Sequence, residues 1–428
     1  MRRLIVMLIT GFMIGVNGLA QEEGFSGRIA YIDSDFNVRV FVPVNDEMLM
    51  LSDDASLTTA DVRIYEFPTW SNDGRLAYFS SNFDSDGHGA LEVYVSPDGM
   101  IPGEVVYSND RRAITYAAWS PANCDETIIC RDFAMLLSDL DTGMFVVESV
   151  RDGLTDARTF EIGRGAPFYF SWRGDGLGLI WHRDNTEVAL YDILMDEMTT
   201  ELSVIPGAFF APAYAATGNQ ALYAEFDGSR SSRLQRYDGT NITTVISALT
   251  GAVTFTWSPD ATQIALAAEN RPLSVIDTTS GVVQFEAPDS DILAYFWSPD
   301  GTKIAYITEA DAPGTSNVRL NVPPYLNGVP VKQSDSFNGL VWSIWDITTD
   351  EVRRSPAFFP TRELGYLLTY FDQFAPSHRI WSPDSRALVY SRIDADGNSQ
   401  IVLLDAAQAG EPAQVIAEGG FAVWSFGS

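Results

Sequence analysis

Three histidines, two cysteines and a scatter of carboxylates are the residues with which this chain could do chemistry. His88, His182 and His378 stand far apart in sequence. A lone histidine in a strand or turn is ordinarily structural, so no His-rich metal site is expected. Two acidic turns, Asp84-Ser85-Asp86-Gly87 and Asp394-Ala395-Asp396-Gly397-Asn398, resemble the start of a calcium loop. Set with the glycine at the sixth position of such a loop, neither carries the acidic residue at the twelfth that completes one, and a hairpin turn explains both without metal. Nucleophilic hydrolysis would call for a G-x-S-x-G elbow. None occurs, and Gly24-Phe25-Ser26-Gly27 misses the spacing. A Gly-rich phosphate loop is also absent. Glu66, Asp291 and Asp372 are scattered candidates for acid–base work. The sequence thus assigns no catalytic residue, no metal ligand and no cofactor.

The N-terminus reads as a leader. Met1-Arg2-Arg3 is basic, Leu4 to Val16 is apolar, and Gly18-Leu19-Ala20 offers small residues before Gln21. We expect residues 1–20 to be a signal peptide and 21–428 to be a single secreted domain, in the periplasm or at the cell surface. The apolar run is too short to cross a bilayer, so no membrane insertion is expected. A formal charge of −30, which loss of the two leader arginines takes to −32, argues against nucleic acid as a partner. In an oxidising compartment Cys124 and Cys130 read as a small disulfide loop, with two free buried thiols as the alternative. Glu161 and Glu286 each lie 11 residues before a repeat tryptophan. Aligning them puts the extra residues of that repeat directly after Trp119, in a loop that can fold back and bring the cysteines together.

Those tryptophans mark a repeat. Trp70, Trp119, Trp172, Trp257, Trp297, Trp381 and Trp424 are each followed by a turn signal, and Tyr214 occupies an eroded eighth slot. The slots are 49, 53, 42, 43, 40, 84 and 43 residues apart, the period of a unit of four short strands. Ser298-Pro299-Asp300-Gly301 suits a type I turn, and the flanking segments are apolar on both faces, as strands covered on both sides must be. Asp-containing hairpin turns follow most slots, as in YDILMDEMT and IDTTSGVV. The 84-residue step holds only WDITTDEV, which makes it one enlarged unit. Gly27-Arg28-Ile29-Ala30-Tyr31 is a repeat strand with no tryptophan before it, and Val423-Trp424-Ser425 is a tryptophan turn with no strand after it. Joining the ends in one sheet would close a ring and remove its free edges.

The motif Trp-Ser-Pro-Asp-Gly, two variable residues, then Ile-Ala-Tyr, matched in full from Trp297 to Tyr306, resembles the TolB-type β-propeller repeat, a relative in shape of WD-repeat propellers. Asn72 departs from it at the proline, and Ala261 and Ser385 at the glycine. The resemblance covers nearly all of the mature chain. It implies an all-β propeller of four-stranded blades, eight by the slot count or seven if the Tyr214 copy is not a full blade. The first blade would combine residues 24–57 with 416–428. Repeats run to the last residues, which leaves no room for the hydrolase domain that some propellers precede.

The resemblance further implies that inner strands begin on the face from which ligands approach and end at the tryptophan turns. Phe67, Tyr116, Phe168, Tyr169, Phe209, Phe210, Phe255, Tyr295, His378 and Phe421 lie where strands begin, and about half must point into the core. Residues 310–338 and 359–376 are insertions near the last full blade. In the second, Leu364, Leu367, Leu368 and Phe371 follow helical spacing, and Tyr366, Tyr370 and Phe374 form another stripe. We expect this helix, over 361–375, to overhang the channel mouth. Tyr366, Tyr370, Phe371, Asp372, Phe374, His378 and Arg379, with Tyr116, Tyr169 and Phe210, would form the ligand or partner site. The expected function is a non-catalytic, monomeric binding or scaffolding module for a protein, peptide or glycan. A propeller lyase or glycosidase and a structural envelope component are the alternatives.

Overall fold

In the computed structural model the Ser-Pro-Asp-Gly copies form one recurring turn. The Ser298 hydroxyl donates to Asp300 Oδ1 at 2.6 Å and accepts from the Lys303 N–H at 2.9 Å, while Asp300 Oδ1 accepts from the Thr302 N–H at 3.0 Å. Ser258 with Asp260 and Ser382 with Asp384 repeat the arrangement. A hydroxyl first and a carboxylate third satisfy backbone groups that the reversing chain leaves unpaired. The fourth position is left-handed: φ is +70° at Gly301 and +88° at Gly74, but also +58° at Ala261 and +60° at Ser385.

A side chain in that region costs about 1–2 kcal/mol. Ala261→Gly is therefore expected to stabilise the protein by about 1 kcal/mol, read as a higher thermal midpoint. Ser385→Gly should gain less, because the Ser385 hydroxyl accepts from the Asp300 N–H of the neighbouring turn at 3.0 Å. An unchanged midpoint for Ala261→Gly would mean that the turn carries no strain.

The hairpin turns use the same device. Asp277 Oδ1 accepts from the N–H groups of Thr279 and Ser280, Asp346 Oδ1 from Thr348 and Thr349, and Asp192 Oδ1 from Leu194 and Met195. Asp394 Oδ1 does so for Asp396 and Asn398, so its own hairpin engages this carboxylate. Part of the chain's acidity is turn chemistry.

The structure describes residues 24–58, 61–84, 89–121, 132–151, 158–228, 231–310, 325–326, 329–330 and 339–427. Residues 1–20, Cys124, Cys130 and the Asp86 and His88 positions lie outside them, as does most of the 310–338 insertion. Among the described residues the chain forms five four-stranded sheets, one of five strands, one of seven and a two-stranded hairpin. The four-stranded sheets are antiparallel, and among the described residues all but one pair strands consecutive in the chain. In the exception, Lys303–Glu309 pairs with Leu340–Asp346 across the 310–338 insertion. Strand Lys303–Glu309 is typical: Ile304, Ala305, Tyr306 and Ile307 are all fully buried, as a strand sandwiched between neighbouring sheets must be.

The seven-stranded sheet depends on one long strand, Gln414–Trp424. Its first half pairs with Ser399–Asp405, Gln414 opposite Leu403 and Glu418 opposite Gln400. Its second half pairs with Ile29–Asp33, Trp424 opposite Ile29 and Gly419 opposite Asp33. The two ends of the described chain thus share a sheet.

Four of the seven repeat tryptophans staple successive sheets. The indole N–H of Trp119 donates to the Thr69 carbonyl at 3.0 Å, that of Trp172 to Ala118 at 3.1 Å, and that of Trp257 to Ala213 at 2.9 Å. Each acceptor directly precedes the previous slot residue. Trp381 obeys the same rule across the long step, donating to the Phe296 carbonyl at 3.1 Å, so the slots at 297 and 381 are neighbours and the step is one unit.

Candidate functional site

The inserted helix enters the centre of the molecule instead of overhanging its mouth. It forms two pieces, α1 (Arg362–Thr369) and α2 (Phe371–Phe374), broken at Tyr370 where φ is −118° and ψ is 35°. Thr361 caps α1, its hydroxyl accepting from the Leu364 N–H at 3.2 Å. The Leu364, Leu367 and Leu368 stripe is buried, and so are Phe371 and Phe374, each 1% exposed.

α2 touches inner strands from several sheets. The Gln373 amide pairs with both backbone groups of Phe170, accepting from its N–H at 3.0 Å and donating to its carbonyl at 2.7 Å, as a further strand would. Asp372 Oδ2 accepts from the Ala211 N–H at 3.2 Å. The Phe371 ring lies 4.7 Å from Tyr295, and the Phe374 ring 5.1 Å from Tyr116 and 4.9 Å from His378. A channel surrounds what enters it, so the leucine stripe and Phe374 both find walls, while Tyr366 and Tyr370 stay half-buried. The segment is a plug.

Between this plug and the ring of tryptophan turns lies a cavity of about 280 Å³. Its walls include Trp70, Trp119, Trp172, Trp257, Trp297 and Trp381, the turn prolines Pro121, Pro259 and Pro299, and the plug residues Asp372, Gln373, Ser377 and Arg379. Of the expected site residues, Tyr116, Asp372 and Arg379 line it. Burial pushes the Asp372 carboxyl up to about 6, against the pull of the Ala211 and Gln373 N–H groups.

On the other side of α2 a second group assembles. Tyr169 stacks on Phe210 at 5.5 Å, Phe210 meets Tyr370 at 6.0 Å, Tyr370 meets Tyr366 at 5.2 Å, and Tyr366 meets Phe67 at 6.0 Å. All five rings are half-buried and none lines the cavity. They form a continuous aromatic crescent where inner strands begin.

The sequence-expected residues therefore divide into three. Tyr169, Phe210, Tyr366 and Tyr370 reach the crescent; Tyr116, Asp372 and Arg379 reach the cavity; Phe371, Phe374 and His378 are interior. Phe67 belongs to the crescent too, and its place at a strand start was the signal for it. Gln373, Ser377 and Phe426 carried no sequence signal.

His378 takes part in a buried relay. Its Nδ1 lies 2.8 Å from Ser377 Oγ and its Nε2 3.1 Å from Thr69 Oγ1, while Ser377 Oγ is 2.9 Å from the Tyr116 hydroxyl. Burial depresses the imidazole to about 3, and no carboxylate touches it among the described residues, so it is neutral at physiological pH. Glu66 accepts from the Ser81 hydroxyl at 3.0 Å and Asp291 is exposed. Neither shares the cavity with Asp372. No group of three or more His, Cys, Asp or Glu is arranged around a common point among the described residues.

Stacked antiparallel sheets, inner strands ending in tryptophan turns and an occupied axis define a β-propeller fold. A crystal structure of a eukaryotic initiation factor is similar over 94% of this chain and 98% of that one, with a TM-score of 0.53 and 10% identity. TolB from Acinetobacter baumannii is similar over 88% of each chain (TM-score 0.38, 13% identity), and the C-terminal WD40 domain of Sif2 over 84% of this chain and 82% of that one (0.45, 9%). No family model and no curated protein matches the sequence. Likeness at these identities concerns the fold alone.

Proposed function

We propose that this chain is a secreted, monomeric, non-catalytic β-propeller that binds a protein, peptide or glycan through its aromatic crescent. Eight slots and the double use of strand Gln414–Trp424 support a closed ring of eight blades over one of seven. In this reading residues 1–20 are removed on export, residues 21–428 form one domain, and Cys124 and Cys130 pair in the oxidising compartment. The non-catalytic part rests on the neutral His378 and on carboxylates that do not converge.

The observation that carries the proposal is the run of half-buried rings from Tyr169 through Phe210, Tyr370 and Tyr366 to Phe67. Rigid aromatic side chains with polar tips supply large contact area at low entropic cost. Panels of soluble oligosaccharides and peptides should yield a ligand for the purified protein. Its affinity should fall about 30-fold in Tyr370→Ala, the loss typical of an interface anchor, with the thermal midpoint nearly unchanged. Ligands that bind Tyr370→Ala and Tyr169→Ala as tightly as the parent protein would remove the crescent from consideration.

A further inference from the structure

We infer that the cavity between the plug and the tryptophan turns is a second binding site, for a small organic monocarboxylate with an apolar body. The first observation is Arg379. Its guanidinium faces no carboxylate within ion-pair distance among the described residues. One nitrogen donates to the Phe426 carbonyl at 3.4 Å, and the group lies over the Phe426 ring at 4.3 Å. Most of its five donors are left for something else. In a chain with 57 acidic and 27 basic residues, the missing partner does not reflect a shortage of acids. Burial with no compensating anion also draws the group down to about 10. Arg379 is half-buried at the cavity wall, and a partly desolvated guanidinium without a counter-ion gains when an anion arrives.

The second observation is the slot tryptophans that staple nothing: the indole nitrogens of Trp70, Trp297 and Trp424 are buried without a partner among the described residues, and Trp70 and Trp297 line the cavity. Trp297 Nε1 and Thr256 Oγ1 are both buried without a hydrogen-bond partner among the described residues, and both residues line the cavity. Thr256 directly precedes Trp257, which is the position whose carbonyl accepts the indole at the stapled junctions. This junction thus leaves two hydrogen-bonding groups unused beside the same space.

The walls decide the rest of the ligand. Indole, phenol and proline surfaces suit an apolar body, and about 280 Å³ falls just below the roughly 300 to 1,000 Å³ of drug-sized sites, which calls for a small ligand. One guanidinium matches one carboxylate in a bidentate fork, whereas a doubly charged phosphate would need further donors.

Six tryptophans report on the cavity, so fluorescence titration of the intact protein is the test. Phenylacetate and hexanoate, an aromatic and an aliphatic carboxylate, are compared with their neutral amides. At least one acid should give a saturable one-to-one change, its amide should bind about tenfold or more weakly, and Arg379→Gln should lose about tenfold or more. Thr256→Val, which keeps the volume, should weaken binding with the midpoint unchanged. The acid and amide comparison stands on the parent protein even if Arg379→Gln does not fold. Equal binding of acid and amide, or no saturable change with either acid up to about 10 mM, would overturn the site. Tyr370→Ala should leave acid binding unchanged, which separates this outcome from that of the crescent.

Discussion

Removing residues 416–428 is expected to abolish the folded state. The deletion takes the strand that two halves of the seven-stranded sheet both use. Ser399–Asp405 loses its outer neighbour and Ile29–Asp33 its inner one. Phe421, Ala422, Val423 and Trp424 are 3%, 5%, 1% and 0% exposed. Burying a large apolar side chain contributes about 1.5–3 kcal/mol, so Phe421, Val423 and Trp424 together account for on the order of 5–9 kcal/mol. That equals most of the roughly 5–15 kcal/mol by which a native protein is stable. The strand edge left behind is apolar, with Ile29 and Ala30 fully buried in the intact molecule, and such edges template aggregation. Gel filtration should show soluble aggregates, and limited proteolysis should cut first near the N-terminus. A truncated protein that stayed monomeric and melted as the parent does would show that the shared strand closes nothing.

The repeat was legible because each copy has to solve the same local problem. A reversing backbone needs a hydroxyl and a carboxylate at fixed positions, and Ser298 with Asp300 or Ser258 with Asp260 leave that requirement in the sequence. The staples were not legible. Their acceptors are main-chain carbonyls, carried here by Thr69, Ala118, Ala213 and Phe296, which share no side-chain chemistry. The helix itself was readable from its spacing, but Phe374 of its second stripe, expected at the site, is interior. Amphipathic reasoning assumes one docking face, whereas a helix inside a ring of strands meets walls on every side. The cavity was invisible for a further reason: its lining comes from turn residues and strand ends of many sheets, distant in sequence, and its tryptophans were read only as repeat markers.

Whether the plug is core or a detachable cover is tested most sharply at Phe374. Its ring is 1% exposed and lies among Phe67, Tyr116, Tyr366 and His378, at centroid distances of 6.4, 5.1, 5.7 and 4.9 Å. Phe374→Ala should cost about 3–5 kcal/mol, because the surrounding strands are held by their own ladders and cannot collapse into the space. Tyr370→Ala removes a half-buried ring at the break between the two helices and should cost much less. Chemical denaturation of the two variants beside the parent protein reads this difference directly. A fixed plug predicts a large drop for Phe374→Ala with one cooperative transition, since α2 is tied to the strands through Gln373 and Asp372. If Phe374→Ala instead unfolds at the parent's midpoint, the helix contributes no core and can leave the channel. The crescent would then be part of a movable element, and binding at Tyr370 would have to be reconsidered as closure over an open axis.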